Sequence, residues 1–214
     1  MSDIGTTNAS AIRYDSSATE GSGDNERHSL SAYVSDLLAL EQHLAQPLGG
    51  QVGSDTFASY PGATRVVNEL KGLNDAHIAA LKSRLDALGG NAAAPVKSAW
   101  AGLLGGAANL VVGARKTKVT KGLRDDYTAL SLATMSYTLL HATAIGLGDT
   151  ATAAIARQGL ADYARAVMLI NQVIPETVLA ELTEDGETVV NGAADTIRQQ
   201  TNEIWKQQAS VTHN

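Results

Sequence analysis

The stretch from Val66 to Leu88 limits the fold more than any other part of the chain. Val66, Leu70, Leu73, Leu81, Leu85 and Leu88 recur at helical spacing, which gathers them on one side of a helix. His77 completes the series, four residues after Leu73 and four before Leu81. Pro61 suits a first helical position and Gly89-Gly90 a C-terminal stop. A helix over these residues is roughly 42 Å long at about 1.5 Å per residue. One apolar face of that length needs partners of similar length to cover it.

The rest of the chain offers such partners. A first helix is predicted from about Ser29 to Ala45, with the stripe Leu30, Val34, Leu37, Glu41, Leu44. Pro47 and Gly49-Gly50 are expected to end it. A further helix is predicted from about Leu123 to Leu147. Another runs from Asp149 or Thr150 as cap to Leu182, with the stripe Leu160, Tyr163, Val167, Ile170, Ile174 and an expected kink or interruption at Pro175. A last helix, about Gly192 to Gln208, carries Ile197, Ile204 and Trp205. No stretch shows sustained strand alternation, so the class is all-α.

The most apolar run, "SAWAGLLGGAANLVVGA" at 98–114, lies between Lys97 and Arg115. It reaches only the lower limit of a membrane span, which needs roughly 20 residues, and it contains Asn109. A helix buried against neighbours is the plainer reading, and a membrane-surface segment the alternative. "RKTKVTKGLR" follows, with Arg115, Lys116, Lys118, Lys121 and Arg124. It reads as a solvated connection or as an anion or partner contact. No aromatic residue is interleaved to stack on bases.

Composition closes several routes. The chain has 214 residues and no cysteine, which excludes disulfides, thiolate ligands and cysteine nucleophiles. The absence of cysteine fits a cytoplasmic location. A net charge of -6 gives no basic excess for nucleic acid. No phosphate-binding glycine loop, zinc signature or serine-nucleophile elbow occurs. Residues 1–28 are rich in Ser, Thr, Gly and Asp and read as a polar tail. Residues 29–186 then form the helical bundle, and 187–214 a C-terminal helix and tail. The tail, the 98–114 run and the last helix are all expected to contribute contacts in a homo-oligomer.

Two polar residues, Glu41 and His77, interrupt otherwise apolar stripes. Together with the helix order, the stretches "LSAYVSDLLALEQHL", "LKGLNDAHIAALKSRLDALGG", "YTALSLATMSYTLLHATAIGLGDTATA" and "QGLADYARAVMLINQVIPETVLAEL" resemble the bacterial stress-associated ferritin-like proteins. The resemblance implies an antiparallel four-helix bundle with an extra apolar crossing helix and a C-terminal helix. It also implies a site for iron or another divalent metal, built from a Glu on each of two helices and a Glu-x-x-His on each of the other two. Glu41 matches the first carboxylate, His77 one histidine, and Asp162 a third ligand position. Leu73 and Asn74 stand where a Glu belongs, "DYAR" replaces the last Glu-x-x-His, and no Glu occurs from Leu123 to Leu147. Too few carboxylates remain to neutralise two ions, so no cofactor is expected and the site reads as a relic. The resemblance thus implies a non-catalytic protein that acts by assembly or partner binding. A metal-binding oxidoreductase or iron-handling protein with an incomplete site is the alternative.

If the metal is lost, a buried Glu41 needs other partners. Protonated His77, Arg165, and a tyrosine hydroxyl such as that of Tyr137 are the candidates, with His141 on the same polar-edged stripe as Tyr137. Glu41 at a wet end of the bundle, and His77 bonded to any nearby oxygen, is the competing reading. Asp125-Asp126 are expected at the start of their helix, where its dipole favours them.

Overall fold

In a computed structural model the described residues are 19–90 and 118–211. The expectations for most of the N-terminal tail, for residues 98–114 and for Arg115 and Lys116 lie outside them. All regular structure among the described residues is helical. The elements are α1 (Thr19–Val52), α2 (Asp55–Ala58), α3 (Pro61–Ala87), α4 (Val119–Gly146), α5 (Thr150–Glu184) and α6 (Ala193–Val211).

Four long helices, α1, α3, α4 and α5, share one core. The main packing is α1 on α3, α4 on α5, α3 on α5 and α1 on α4, so each helix has two principal neighbours. Neighbours run antiparallel. Thr120 near the start of α4 meets Glu181 near the end of α5, and Arg84 near the end of α3 meets Asp149 and Thr152 at the start of α5. Gln51 at the end of α1 meets Asp126 early in α4. The interior is lined by Val34, Leu37, Leu70, Leu81, Leu85, Leu123, Leu130, Ala133, Leu140, Ala156, Ala166 and Ile170, each nearly or fully buried. Burying a side chain of this kind stabilises by about 1.5–3 kcal/mol for the larger ones, which makes this core the main force holding the helices together.

The helix ends follow local chemistry. α3, α4 and α5 each close on a left-handed glycine, Gly89, Gly148 and Gly186. In each case the N–H after the glycine reaches back to the carbonyl five residues earlier: Gly90 to Leu85, Asp149 to Ala144, Glu187 to Leu182. These paired bonds satisfy carbonyls that the helix leaves open. Asp149 caps α5 by accepting from the Thr152 N–H at 2.8 Å.

Four expectations about boundaries change. α1 begins at Thr19 rather than near Ser29, so residues 19–28 are helical and not tail. α1 does not stop at Pro47 but continues to Val52. Proline removes one helical hydrogen bond and costs about 3 kcal/mol, while Leu44 and Leu48 on either side are both buried. Their burial offsets that cost. α5 likewise runs unbroken through Pro175. α4 begins earlier than Leu123, so Asp125 and Asp126 lie in its second turn rather than at its start. The carboxylate at that N-terminus comes from α5 instead: Glu181 accepts from the Thr120 N–H at 3.0 Å and the Thr120 hydroxyl at 2.6 Å. The short α2 was not expected; its Phe57 is buried and packs close to Gly122.

Candidate functional site: a saturated carboxylate between four helices

Glu41 on α1 is fully buried in the middle of the core. A buried carboxylate is tolerated only when its lone pairs are satisfied. Four donors from the other three helices do this. Oε1 accepts from the Tyr137 hydroxyl of α4 at 2.7 Å and faces His77 Nδ1 of α3 at 3.1 Å. Oε2 accepts from the Tyr163 hydroxyl of α5 at 2.5 Å and from Asn74 Nδ2 of α3 at 2.6 Å. Asn74 Nδ2 also reaches the Glu41 carbonyl at 2.8 Å. Two donors on each oxygen is the arrangement of an ionised carboxylate acting only as acceptor.

His77 extends the network outward. Its Nε2 lies 3.2 Å from Asp162 Oδ2 of α5, and Asp162 also accepts from Gln158 Nε2 at 3.0 Å. Each ring nitrogen thus faces a carboxylate, and with both carboxylates ionised the two bonds form together only when both nitrogens carry hydrogen. Burial alone would lower the His77 pKa, but the bonds to and charges of Glu41 and Asp162 outweigh it and raise it. The rings pack edge to face, with His77 4.7 Å from Tyr163 and 5.3 Å from Tyr137 between centroids. Burial, then the Glu41 charge, pushes both phenols strongly upward, so both remain donors.

Tyr137 is held against a small neighbour. A methyl group on Gly159 of α5 would come within 2.3 Å of the Tyr137 ring. The ring therefore lies directly on the α5 backbone, and glycine is what admits it.

The sequence candidates divide on this geometry. Glu41, His77, Tyr137 and Asp162 come together in one chain of contacts. Arg165 does not belong to it. Its side chain is 57% exposed and pairs with Glu69 at 2.8 Å on the outer face of α3 and α5. Tyr163 points inward, and a residue two further along a helix lies about 200° round it, which turns Arg165 outward. His141 is half-buried one turn beyond Tyr137, outside the cluster's hydrogen bonds. Among the basic residues, Lys118 pairs with Asp185 and Arg124 with Asp125, while Lys121 is exposed. Sequence reasoning missed two members. Tyr163 read as part of an apolar stripe, and Asn74 was noted only as the residue replacing a Glu; an amide three residues before a core histidine was the available signal.

The three expected metal ligands do not surround a common point. Glu41 and Asp162 sit at opposite nitrogens of the His77 ring, and each Glu41 oxygen is bonded to two protein side chains. Among the described residues no group of three His, Cys, Asp or Glu side chains has the geometry to hold a metal ion. No described helix is long and apolar enough to cross a membrane. No family model matches the chain, and no curated protein or solved structure matches it either.

Proposed function

We propose that this is a non-catalytic, ferritin-like helical protein that acts by self-assembly or by binding a protein partner, in the manner of a stress-associated bundle whose metal site has been refilled by side chains. The observation that carries the reading is the saturation of Glu41: Tyr137, Tyr163, Asn74 and His77 occupy the space a metal ion would need. A closed polar cluster of this kind fixes helix register, as single buried polar groups do in coiled coils, and leaves no position for a substrate atom. Function then falls to the surface. Tyr33, Met135 and Leu139 are 44%, 58% and 47% exposed. Tyr33 and Leu139 also line, with Asp36, Leu37 and Ser136, a shallow recess between α1 and α4. Exposed apolar side chains gathered on one face mark contact surfaces.

The test has two readouts on the full chain, purified without chelator from iron-supplemented cells. Light scattering coupled to gel filtration is expected to give a closed assembly larger than the 22.2 kDa chain. Elemental analysis is expected to give far less than one metal per chain. A monomer together with about two irons per chain, the stoichiometry of the di-iron family, and loss of that iron on Glu41→Ala would refute the reading and favour the iron-handling alternative.

A further inference from the structure

A second buried acid lies away from the Glu41 cluster, where the end of α1 meets the early turns of α4. Asp126 is 94% buried by its 6% relative exposure. Its Oδ1 accepts from Gln51 Nε2 at 3.0 Å. The other oxygen of each side chain, Asp126 Oδ2 and Gln51 Oε1, is buried without a hydrogen-bond partner. Two orphaned acceptors on one already bonded acid–amide pair is an expensive arrangement for an ionised acid. It is the arrangement a single proton would complete.

The surroundings favour that proton. No basic side chain among the described residues pairs with Asp126, and the charge acting on it is the negative one of Asp125 beside it on α4. Asp125 is itself paired with Arg124 at 2.7 Å. α1 contributes the neutral Gln51 amide, α2 the apolar Phe57 against Gly122, and the described residues of α5 bring no charge to it. Burial pushes the Asp126 carboxyl up to about 7, the Gln51 bond draws it back, and Asp125 adds to the rise.

We propose that Asp126 and Gln51 form a protonation-dependent latch between α4 and α1. In the closed state neutral Asp126 donates its Oδ2 proton to Gln51 Oε1 while its Oδ1 accepts from Gln51 Nε2, giving a two-bond acid–amide ring. Loss of the proton to solvent removes one bond and leaves a buried anion beside a bare amide oxygen. The early turns of α4, with Phe57 seated against Gly122, then loosen from α1.

The test uses the full chain. Carbon-13 NMR of labelled aspartate, with Asp126→Asn for assignment, is expected to place the Asp126 midpoint near neutrality. Hydrogen exchange over Val119–Leu130, corrected for the intrinsic pH effect, is expected to quicken at least about tenfold between pH 5.5 and 8.5, the change one unit of displaced pKa would produce. Asp126→Asn keeps both bonds in a form that cannot ionise, so its corrected exchange should not vary with pH. An Asp126 midpoint in the ordinary carboxylate range overturns the latch. So does pH-dependent exchange of equal size in Asp126→Asn. Should that variant fail to fold, the exchange of the native chain together with its carboxyl titration, assigned through backbone resonances, still decides between the outcomes.

Discussion

Tyr163→Phe and Tyr137→Phe separate the hydroxyl bonds to Glu41 from the ring packing around them. Each substitution removes one donor and keeps the aromatic contacts, the rings being 5.8 Å apart and edge-on to His77. A hydrogen bond to a charged group is worth about 1.5–3 kcal/mol, and here the orphaned acceptor has no route to water because Glu41 is fully buried. Each variant should therefore lose about 1.5–3 kcal/mol. For a chain of 214 residues that corresponds to a fall in Tm of roughly 3–12 °C, at about 2–4 °C per kcal/mol. The assay is denaturant unfolding followed by circular dichroism, in which the midpoint should fall with an unchanged slope. Tyr33→Phe, at a residue 44% exposed, is the control and should stay within about 0.5 kcal/mol of the native chain. The double variant should depart from additivity by at least about 0.5 kcal/mol, since both hydroxyls serve one carboxylate. Single variants that both match the native chain while still folded would show that the tyrosines do not satisfy a buried charge.

Other perturbations follow from the same geometry. Glu41→Ala leaves four donors facing a cavity and should cost about 3–5 kcal/mol, measured by the same unfolding curves. Gly159→Ala drives a methyl group into the Tyr137 ring, 2.3 Å away, and should cost about 1–3 kcal/mol by calorimetry. In an ultraviolet alkaline titration Tyr137 and Tyr163 should ionise only with unfolding, and Tyr60, raised by burial and by its bond to Glu184, only near pH 12. The pH dependence of stability has a definite sign. Asp126 holds its proton more tightly folded, at about 7, than unfolded, at 3.8, so the folded chain binds more protons between these values. The contribution is fully present below the lower value and is lost as pH rises through the higher, on the order of 4 kcal/mol in all at about 1.36 kcal/mol per unit. The raised His77 acts in the same direction at higher pH. Asp149 acts oppositely: the Thr152 N–H and Arg84 lower its pKa against the burial that would raise it, and its contribution fades as pH falls through that lowered value. Denaturation midpoints from pH 3 to 9 should show a maximum on the acid side of neutrality.

The helical stripes carried most of the fold into the sequence. Val66, Leu70, Leu81 and Leu85 are core because period alone decides which face of a long helix is buried. What the period did not reveal was where helices end under tertiary load. Pro47 is a local stop signal, yet Leu48 beyond it is buried at 3% exposure, and packing overrides propensity. The candidate site was legible through its anomalies. Glu41 and His77 stand out because they interrupt apolar stripes. Tyr163 does not interrupt one, since a tyrosine in a core stripe looks like any aromatic until its hydroxyl finds a partner in another helix. Arg165 was placed inward by analogy with a histidine that follows a carboxylate by three, and helical geometry places it outward. Asp126 stood out only as half of an acidic pair, and its bond to Gln51 left no trace, because their meeting depends on how far α1 extends past Pro47 and how early α4 begins.

The closed cluster requires Glu41 to be an anion saturated by protein donors, with His77 carrying hydrogen on both nitrogens between two carboxylates. Nitrogen-15 NMR of histidine-labelled protein at pH 7 tests it most directly. The expected spectrum shows protons on both Nδ1 and Nε2 of His77, each exchanging slowly and each coupled to a carboxylate acceptor. A neutral ring with one bare nitrogen would mean that Glu41 and Asp162 are not both accepting from His77, and would contradict the closed cluster on which the functional proposal rests.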